Sequence, residues 1–327
     1  MYKVSVIIPV YGVEKYIERC ARSLFEQTLD DIEYIFVNDC TPDNSIKILQ
    51  NVLHDYPHRI NQVKIINHDK NLGLPQARKT GILQANGKYL IHCDSDDWVE
   101  KDAYKLMWEK AKEKDYDIVF CDIYHSNGTI HKHQHRNFGK LDKETILLYI
   151  IRKVLWSVWG AMVKTSIFKN NIFYYPNKNN FEDLVLMVQM IHYSNTFAHI
   201  PKPLYFYYEN ANSMSKIINV NSVFKRLEEV SYNTEFVINY LKSIHCNNLN
   251  DISLILKLKC RFMLSKMAVN KIYYKKWKSI YPEIDNTSFI LNPNIPISYK
   301  IHYWSVRFKI FKTLKAVQNY IRKVIKH

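Results

Sequence analysis

The chain is predicted to fold as an α/β protein on a mostly parallel sheet with helices on both faces, followed by a helical, basic C-terminal region. Three observations lead there. Short β-branched runs alternate with helical-period segments through the first 125 residues, polar residues collect where those runs end, and positive charge concentrates late in the chain.

The first run is KVSVIIPVY, followed by Val13, Ile17, Cys20, Ala21 and Leu24 at helical spacings of three and four. IEYIFVND follows, then a second stripe of Ile46, Leu49, Val52, Leu53 and Tyr56, with Asp43 or Asn44 as its N-cap. VKIIN precedes PQARKTGILQA, whose Pro75 suits a first helical position because its missing N–H costs nothing there. KYLIHCD, a helix over 102–114 and YDIVFCDIYH complete the alternation. Later, NNFEDLVLMVQM places Leu184, Met187, Val188 and Ile191 on one buried stripe.

Composition narrows the class. Of 327 residues, 47% are hydrophobic and 24% charged, which describes a globular chain able to bury a sizeable core. No uncharged apolar run of about 18 residues occurs, and the opening segment reads as a strand rather than a signal peptide. The six cysteines lack a Cys-x-x-Cys pair and read as reduced, mostly buried residues of a cytoplasmic protein. The net charge of +15 is uneven: residues 252–327 hold 16 Lys/Arg against Glu283 and Asp285 alone, leaving the first 251 residues nearly neutral. Such a tail suits nucleic acid or an anionic membrane surface.

Ligands of parallel sheets bind beyond the C-terminal strand ends. Tyr11, Asp39, Asn67 and the group Asp94, Asp96 and Asp97 stand at four such ends. There is no Gly-x-Gly for a dinucleotide and no Gly-Lys-Ser/Thr phosphate loop. Any phosphates must therefore be held without a glycine cradle, and a cation on the acids of LIHCDSDDW would do it. The competing reading is a strand-to-helix turn with capping aspartates.

Taken together, VSVIIPVYGVEKYIERCARSLFEQT, FVNDCTPDNS, NLGLPQARKTGI, LIHCDSDDW and FEDLVL resemble the family-two nucleotide-sugar glycosyltransferases, inverting enzymes of the Rossmann-like GT-A fold. The resemblance covers roughly residues 3–215, and it implies a catalytic domain over 1–215 and a helical region over 216–327. It implies that Pro9, Tyr11, Asp39 and Asn67 surround uracil, that Arg78 reaches a nucleotide or diphosphate oxygen, and that Asp94 touches the ribose. Asp96 would bind Mn²⁺ or Mg²⁺ bridging the phosphates, while Asp97 ligates through water or only caps. Asp183 is the chosen general base, with Glu182 orienting acceptor or backbone; the reverse assignment and simple helix capping are the alternatives. Ser213 and Ser215 would donate to phosphate, although Glu209 stands where relatives often carry Arg or His. Trp156 and Trp159 are either a sugar platform or core.

The implied reaction moves a hexose or N-acetylhexosamine from a UDP-sugar to a glycan or lipid-linked acceptor in bacterial surface polysaccharide synthesis. Rival readings are a metal-dependent nucleotidyltransferase on the same sheet and a non-enzymatic basic nucleic-acid-binding protein. The latter leaves the ordered acids without a role, so no nucleic acid partner is expected. From Val306 onward, Ile310, Leu314, Val317, Ile321 and Val324 share a helical face opposite Lys312, Lys315, Arg322, Lys323 and Lys326. Residues 300–327 are therefore expected to rest on the inner face of the cell membrane, or else to pack on the catalytic domain or a second subunit, a homo-oligomer being one option.

Overall fold

The structure, a computed structural model, describes residues 2–209, 220–265, 267, 268, 270–285 and 288–310. These fall into two compact units, one formed by residues up to 147 and from 156 to 222, the other by 148–155 and the residues from 223 onward. Residues 148–155, expected within the first region, thus cluster with the second.

In the first unit the chain runs β1 (Val4–Val10), α1 (Ile17–Phe25), β2 (Ile32–Asn38), α2 (Ser45–His54), β3 (Val63–Asn67), α3 (Leu74–Leu83) and β4 (Tyr89–His92). It continues through β5 (Trp98–Val99), α4 (Ala103–Glu113), β6 (Ile118–Ser126), β7 (His131–Gln134) and α5 (Lys143–Lys153), which ends in the second unit's segment. Then come β8 (Ala161–Lys164), α6 (Thr165–Asn170), α7 (Glu182–Tyr193) and β9 (Phe197–Tyr208). The hydrogen-bonded order is β3-β2-β1-β4-β8-β6-β9-β5, with β7 added on β6.

β1, β2, β3 and β4 are mutually parallel, and β6 and β9 share their direction because β8 reverses between β4 and β6. Val10 lies opposite Asn38, which lies opposite Asn67, and Ile7 lies opposite His92. Parallel strands in this register end on one edge, so the segments leaving β1, β2, β3 and β4 converge there.

The helices pack as their periods require. In α1 the expected Ile17, Cys20, Ala21 and Leu24 are fully buried. α2 is capped by Asp43, whose Oδ1 accepts from the Ser45 N–H at 3.1 Å, while Asn44 makes no side-chain cap bond. α3 begins with Pro75 in its first turn and lies tight on β1: a Cβ at Gly81 would stand 2.3 Å from Ile7 Cγ2. α7 is buried on every side, with Leu184 through Ile191 covered, so the single stripe expected of it understates its burial.

The second unit takes in α8 (Val220–Ser243) from Val223 onward, α9 (Leu249–Phe262), α10 (Lys271–Ser279), α11 (Ser288–Leu291) and α12 (Ile297–Arg307). Some of its basic residues are structural. The Arg261 guanidinium is inaccessible, donating to the Ile280 carbonyl at 2.6 Å and Asp285 Oδ1 at 2.5 Å beside the Trp277 ring. Burial pulls the Lys259 ammonium down to about 7.

The expected helix from Val306 onward is interrupted. α12 ends at Arg307, Lys309 turns left-handed at φ 61°, and the Lys309 and Ile310 N–H groups fold back onto the Val306 and Ser305 carbonyls. Leu314, Val317, Ile321, Val324 and the basic positions that accompany them lie outside the described residues. Among the described residues, no helix is long and apolar enough to cross a membrane.

Candidate active site

Pro9 is buried near the end of β1, and Tyr11, one residue past it, is 51% exposed. Asp39, just after β2, is almost fully buried. Its Oδ1 accepts from the Leu72 N–H at 2.8 Å and meets His68 Nδ1 at 2.8 Å, and its Oδ2 accepts from the Gly73 N–H at 2.8 Å. A carboxylate suits this task because it presents several acceptor sites to converging donors. Asp39 thus clamps the 68–73 loop, a role the sequence reading did not assign. Asn67 remains exposed and accepts from Asn38 Nδ2 at 2.9 Å.

Arg78 joins two distant acids. Its guanidinium, 2% exposed, donates from Nη2 to Asp94 Oδ1 at 2.9 Å and from Nε to Glu182 Oε1 at 3.1 Å. Nη1 is buried with no hydrogen-bond partner among the described residues. Arg78 ties the end of β4 to the start of α7. Nearby His92 is buried, and burial together with the Arg78 charge holds it well below the usual imidazole range, hence neutral.

The three aspartates after β4 have separate environments. Asp94 is partly exposed on Arg78. Asp96 is half-buried, and its carbonyl accepts from Arg19 Nη2 at 2.8 Å. Asp97 is fully buried: its Oδ2 accepts from the Tyr205 hydroxyl at 2.6 Å and its Oδ1 from the Tyr208 N–H at 2.7 Å. Burial, then the charges of Asp96 and Asp94, push the Asp97 carboxyl well above the usual range. Asp97 is therefore an anchor for β9; its bonds run to that strand and not to the segment after it, as a cap's would.

α7 opens on Phe181 in the left-handed conformation, φ 64°, which sets the direction of the two acids that follow. Glu182 is buried on Arg78; burial raises its carboxyl and Arg78 opposes the rise. Asp183 accepts the Leu184 N–H at 2.9 Å, and burial with the neighbouring Glu182 charge pushes its carboxyl up to about 8, against Arg78. The 176–182 loop is held against the start of α3: Leu74 N–H donates to Asn179 Oδ1 at 3.1 Å and Gln76 Nε2 to the Pro176 carbonyl at 3.2 Å. Gly73, at φ 90°, makes this approach feasible, since a Cβ there would stand 2.7 Å from Asn179 Oδ1.

The structure thus brings Arg78, Asp94, Glu182 and Asp183 into one charged cluster. Trp156 and Trp159 are buried; Trp159 stacks on Tyr205 at 4.7 Å and Tyr207 at 5.3 Å, so both tryptophans serve packing. Ser213 and Ser215 lie outside the described residues. Arg19, missed from sequence because it resembled a solvated helix charge, sits over the Trp98 ring at 3.8 Å and the Tyr208 ring at 4.5 Å while holding the Asp96 carbonyl. Tyr205 was missed too; its hydroxyl bridges Asp97 and the Asp94 N–H.

A mostly parallel, curled sheet with acids beyond its strand ends and a second acidic pair across from them defines the GT-A class of transferase fold. The chain belongs to the family described as Glycosyl transferase family 2, which matches residues 5–186. It is 32% identical over 229 residues to the uncharacterized glycosyltransferase EpsJ of Bacillus subtilis, a match covering 65% of this chain and 63% of that relative. The chain thus spans under two thirds of that relative's length. Its fold is similar to S. aureus TarS 1-349 in complex with UDP-GlcNAc, with a TM-score of 0.66, 21% identity and coverage of 98% and 92% of the two chains. It is also similar to the mannosyltransferase PcManGT of Pyrobaculum calidifontis in complex with GDP-Man and Mn²⁺, with a TM-score of 0.57, 14% identity and coverage of 97% and 84%.

Proposed function

We propose that the protein is an inverting glycosyltransferase that moves a hexose or N-acetylhexosamine from a UDP-sugar to a glycan or lipid-linked acceptor in bacterial surface polysaccharide synthesis. The observation that carries this reading is Asp183: a carboxyl raised to about 8 at the mouth of α7, tied through Glu182 and Arg78 to the strand end that would hold the donor. A general base works best when its pKa lies near the working pH, and a carboxyl in its ordinary range would be too weak.

In this reading Pro9, Tyr11, Asp39 and Asn67 surround the uracil, with Tyr11 exposed to meet it and Asp39 accepting from its N–H. Asp94 contacts the ribose. Asp96 fits a hard divalent cation, because a half-buried carboxylate with diphosphate oxygens and water supplies the all-oxygen donor set that Mg²⁺ or Mn²⁺ takes. Bound there, such an ion would offset the charge growing on the departing diphosphate. Arg78 positions Asp94 and Glu182, Glu182 orients Asp183, and Asp183 takes the acceptor hydroxyl's proton as that oxygen attacks the anomeric carbon. Ser213 is assigned to the phosphates. The UDP-GlcNAc complex of TarS supports a nucleotide-sugar donor, and the Mn²⁺ of PcManGT supports a metal.

Residues 1–215 form the catalytic domain in this proposal, and the basic end of the 216–327 region holds the enzyme on the inner face of the membrane, where a lipid-linked acceptor would be confined. Incubating the protein with a panel of nucleotide sugars and Mn²⁺ and measuring nucleoside diphosphate release tests the reaction. UDP release from a UDP-sugar, dependent on Asp183, is expected. Pyrophosphate release from a nucleoside triphosphate and a sugar 1-phosphate, with no UDP released from UDP-sugars, would instead identify a nucleotidyltransferase.

A further inference from the structure

We propose that Asp122, His133 and His135 form a second metal site, for a divalent transition ion of the zinc class, separate from the carboxylates after β4. The site follows from strand period. β6 and β7 pair antiparallel with Tyr124 opposite His133 and Ser126 opposite His131, so Asp122 falls level with His135 one pair further on. Alternation along IHKHQH places His131, His133 and His135 on the same side as Asp122. His131 is engaged by Ser126 Oγ at 2.8 Å, leaving the other two to converge on the carboxylate.

His133 Nε2 lies 2.9 Å and His135 Nδ1 3.3 Å from Asp122 Oδ2. The three ligand atoms lie within 4.8 Å of one another, and among the described residues no other three His, Cys, Asp or Glu side chains come together in this way. A tetrahedral ion with bonds of about 2.0 Å separates its ligand atoms by about 3.3 Å, close to the spacings found here.

Asp122 is 1% exposed and already satisfied on its other oxygen, where Oδ1 accepts from the Arg136 N–H at 2.8 Å and meets His199 Nε2 at 2.7 Å. Those bonds fix the carboxylate with Oδ2 aimed at the histidine pair, the outer support that ligands of bound metals commonly have. The His133 and His135 rings are 3.6 Å apart between centroids, so both imidazoles reach the same carboxylate oxygen. An ion bound between them satisfies both nitrogens and the carboxylate at once. Two imidazoles with one carboxylate favour Zn²⁺, Co²⁺ or Ni²⁺ over the hard cations suited to Asp96. The His135 side chain is 70% exposed, so an ion can enter from solvent and keep a position open.

The test uses full-length, tag-free protein stripped of metal. Equilibrium dialysis with Zn²⁺ is expected to give one tightly bound ion per chain, and Co²⁺ to give the visible absorption of a four-coordinate site. His133→Ala and His135→Ala should each weaken binding by about tenfold or more, while Asp96→Asn leaves it unchanged. His135 is exposed, so its replacement leaves the fold intact, and a Zn²⁺-dependent rise in Tm that disappears in His135→Ala is the second readout. Absence of stoichiometric binding, undiminished wild-type binding by both histidine variants, or loss of binding in Asp96→Asn would overturn the assignment.

Discussion

Arg78 Nε and Glu182 Oε1 lie 3.1 Å apart across 104 residues of sequence, and the same guanidinium reaches Asp94. One buried cation thus balances an acid from the segment after β4 and an acid from the start of α7. Taking it away strands both.

Arg78→Met should therefore destabilise the protein by about 3 to 5 kcal/mol at neutral pH, the usual cost of leaving buried partners uncompensated. Urea unfolding measures it. The deficit should shrink in acid as the Glu182 carboxyl, raised by burial, takes up a proton; a deficit independent of pH would remove the electrostatic explanation.

Asp183→Asn should lower turnover by about a hundredfold while leaving UDP affinity nearly unchanged, because a base acts in the transition state and not on the nucleotide. In the wild type, kcat/KM should rise with pH and level off above about 8 as the Asp183 carboxyl loses its proton. If Glu182→Gln is the crippled variant, the roles of the pair exchange.

Stability should move the opposite way. A carboxyl raised from 3.8 to about 8 keeps a proton in the folded chain that the unfolded chain has released, so it costs stability progressively between those two values as pH rises. Asp183→Asn removes that slope. Thermal unfolding should find the variant more stable than wild type at pH 8 and the two alike near pH 4; a variant less stable at pH 8 would contradict the raised carboxyl.

Chelator should abolish sugar transfer, Mn²⁺ or Mg²⁺ should restore it, and Asp96→Ala should bind a UDP-sugar poorly while remaining folded. Calorimetry of UDP binding with and without Mn²⁺ separates metal-assisted from direct contact. Full turnover in excess chelator would remove Asp96 from its role.

Because Tyr303 and Val306 are buried within α12, the membrane contribution of the tail is best tested by ending the chain after Ile310. The truncated protein should stay folded, lose sedimentation with anionic vesicles and keep transfer to a soluble acceptor. Vesicle binding that survives would place the attachment elsewhere.

Much of the first unit was legible because local signals agreed with the final packing. The period of α1, the proline opening α3 and the acids at strand ends each stated in sequence what the fold uses. The LIHCDSDDW segment was legible only in part. Its three acids look alike in sequence, yet Asp97 is consumed by Tyr205 and Tyr208, more than a hundred residues away, and nothing local announces that contact. Arg19 escaped for the same reason: a helix arginine with distant partners has the sequence signature of a solvated one. The break at Lys309 escaped because apolar spacing persists across it, while the turn depends on one left-handed residue that is not glycine.

The contact between Gly73 and Asn179 sets a rule for how chains of this kind can diverge. A side chain at 73 would need both a backbone conformation that L residues avoid and the space Asn179 Oδ1 now fills, and a shorter residue at 179 would leave the Leu74 N–H without its acceptor. The two positions therefore cannot drift independently. Among homologues that keep this loop pairing they should covary, with glycine at the first wherever a side-chain acceptor stands at the second.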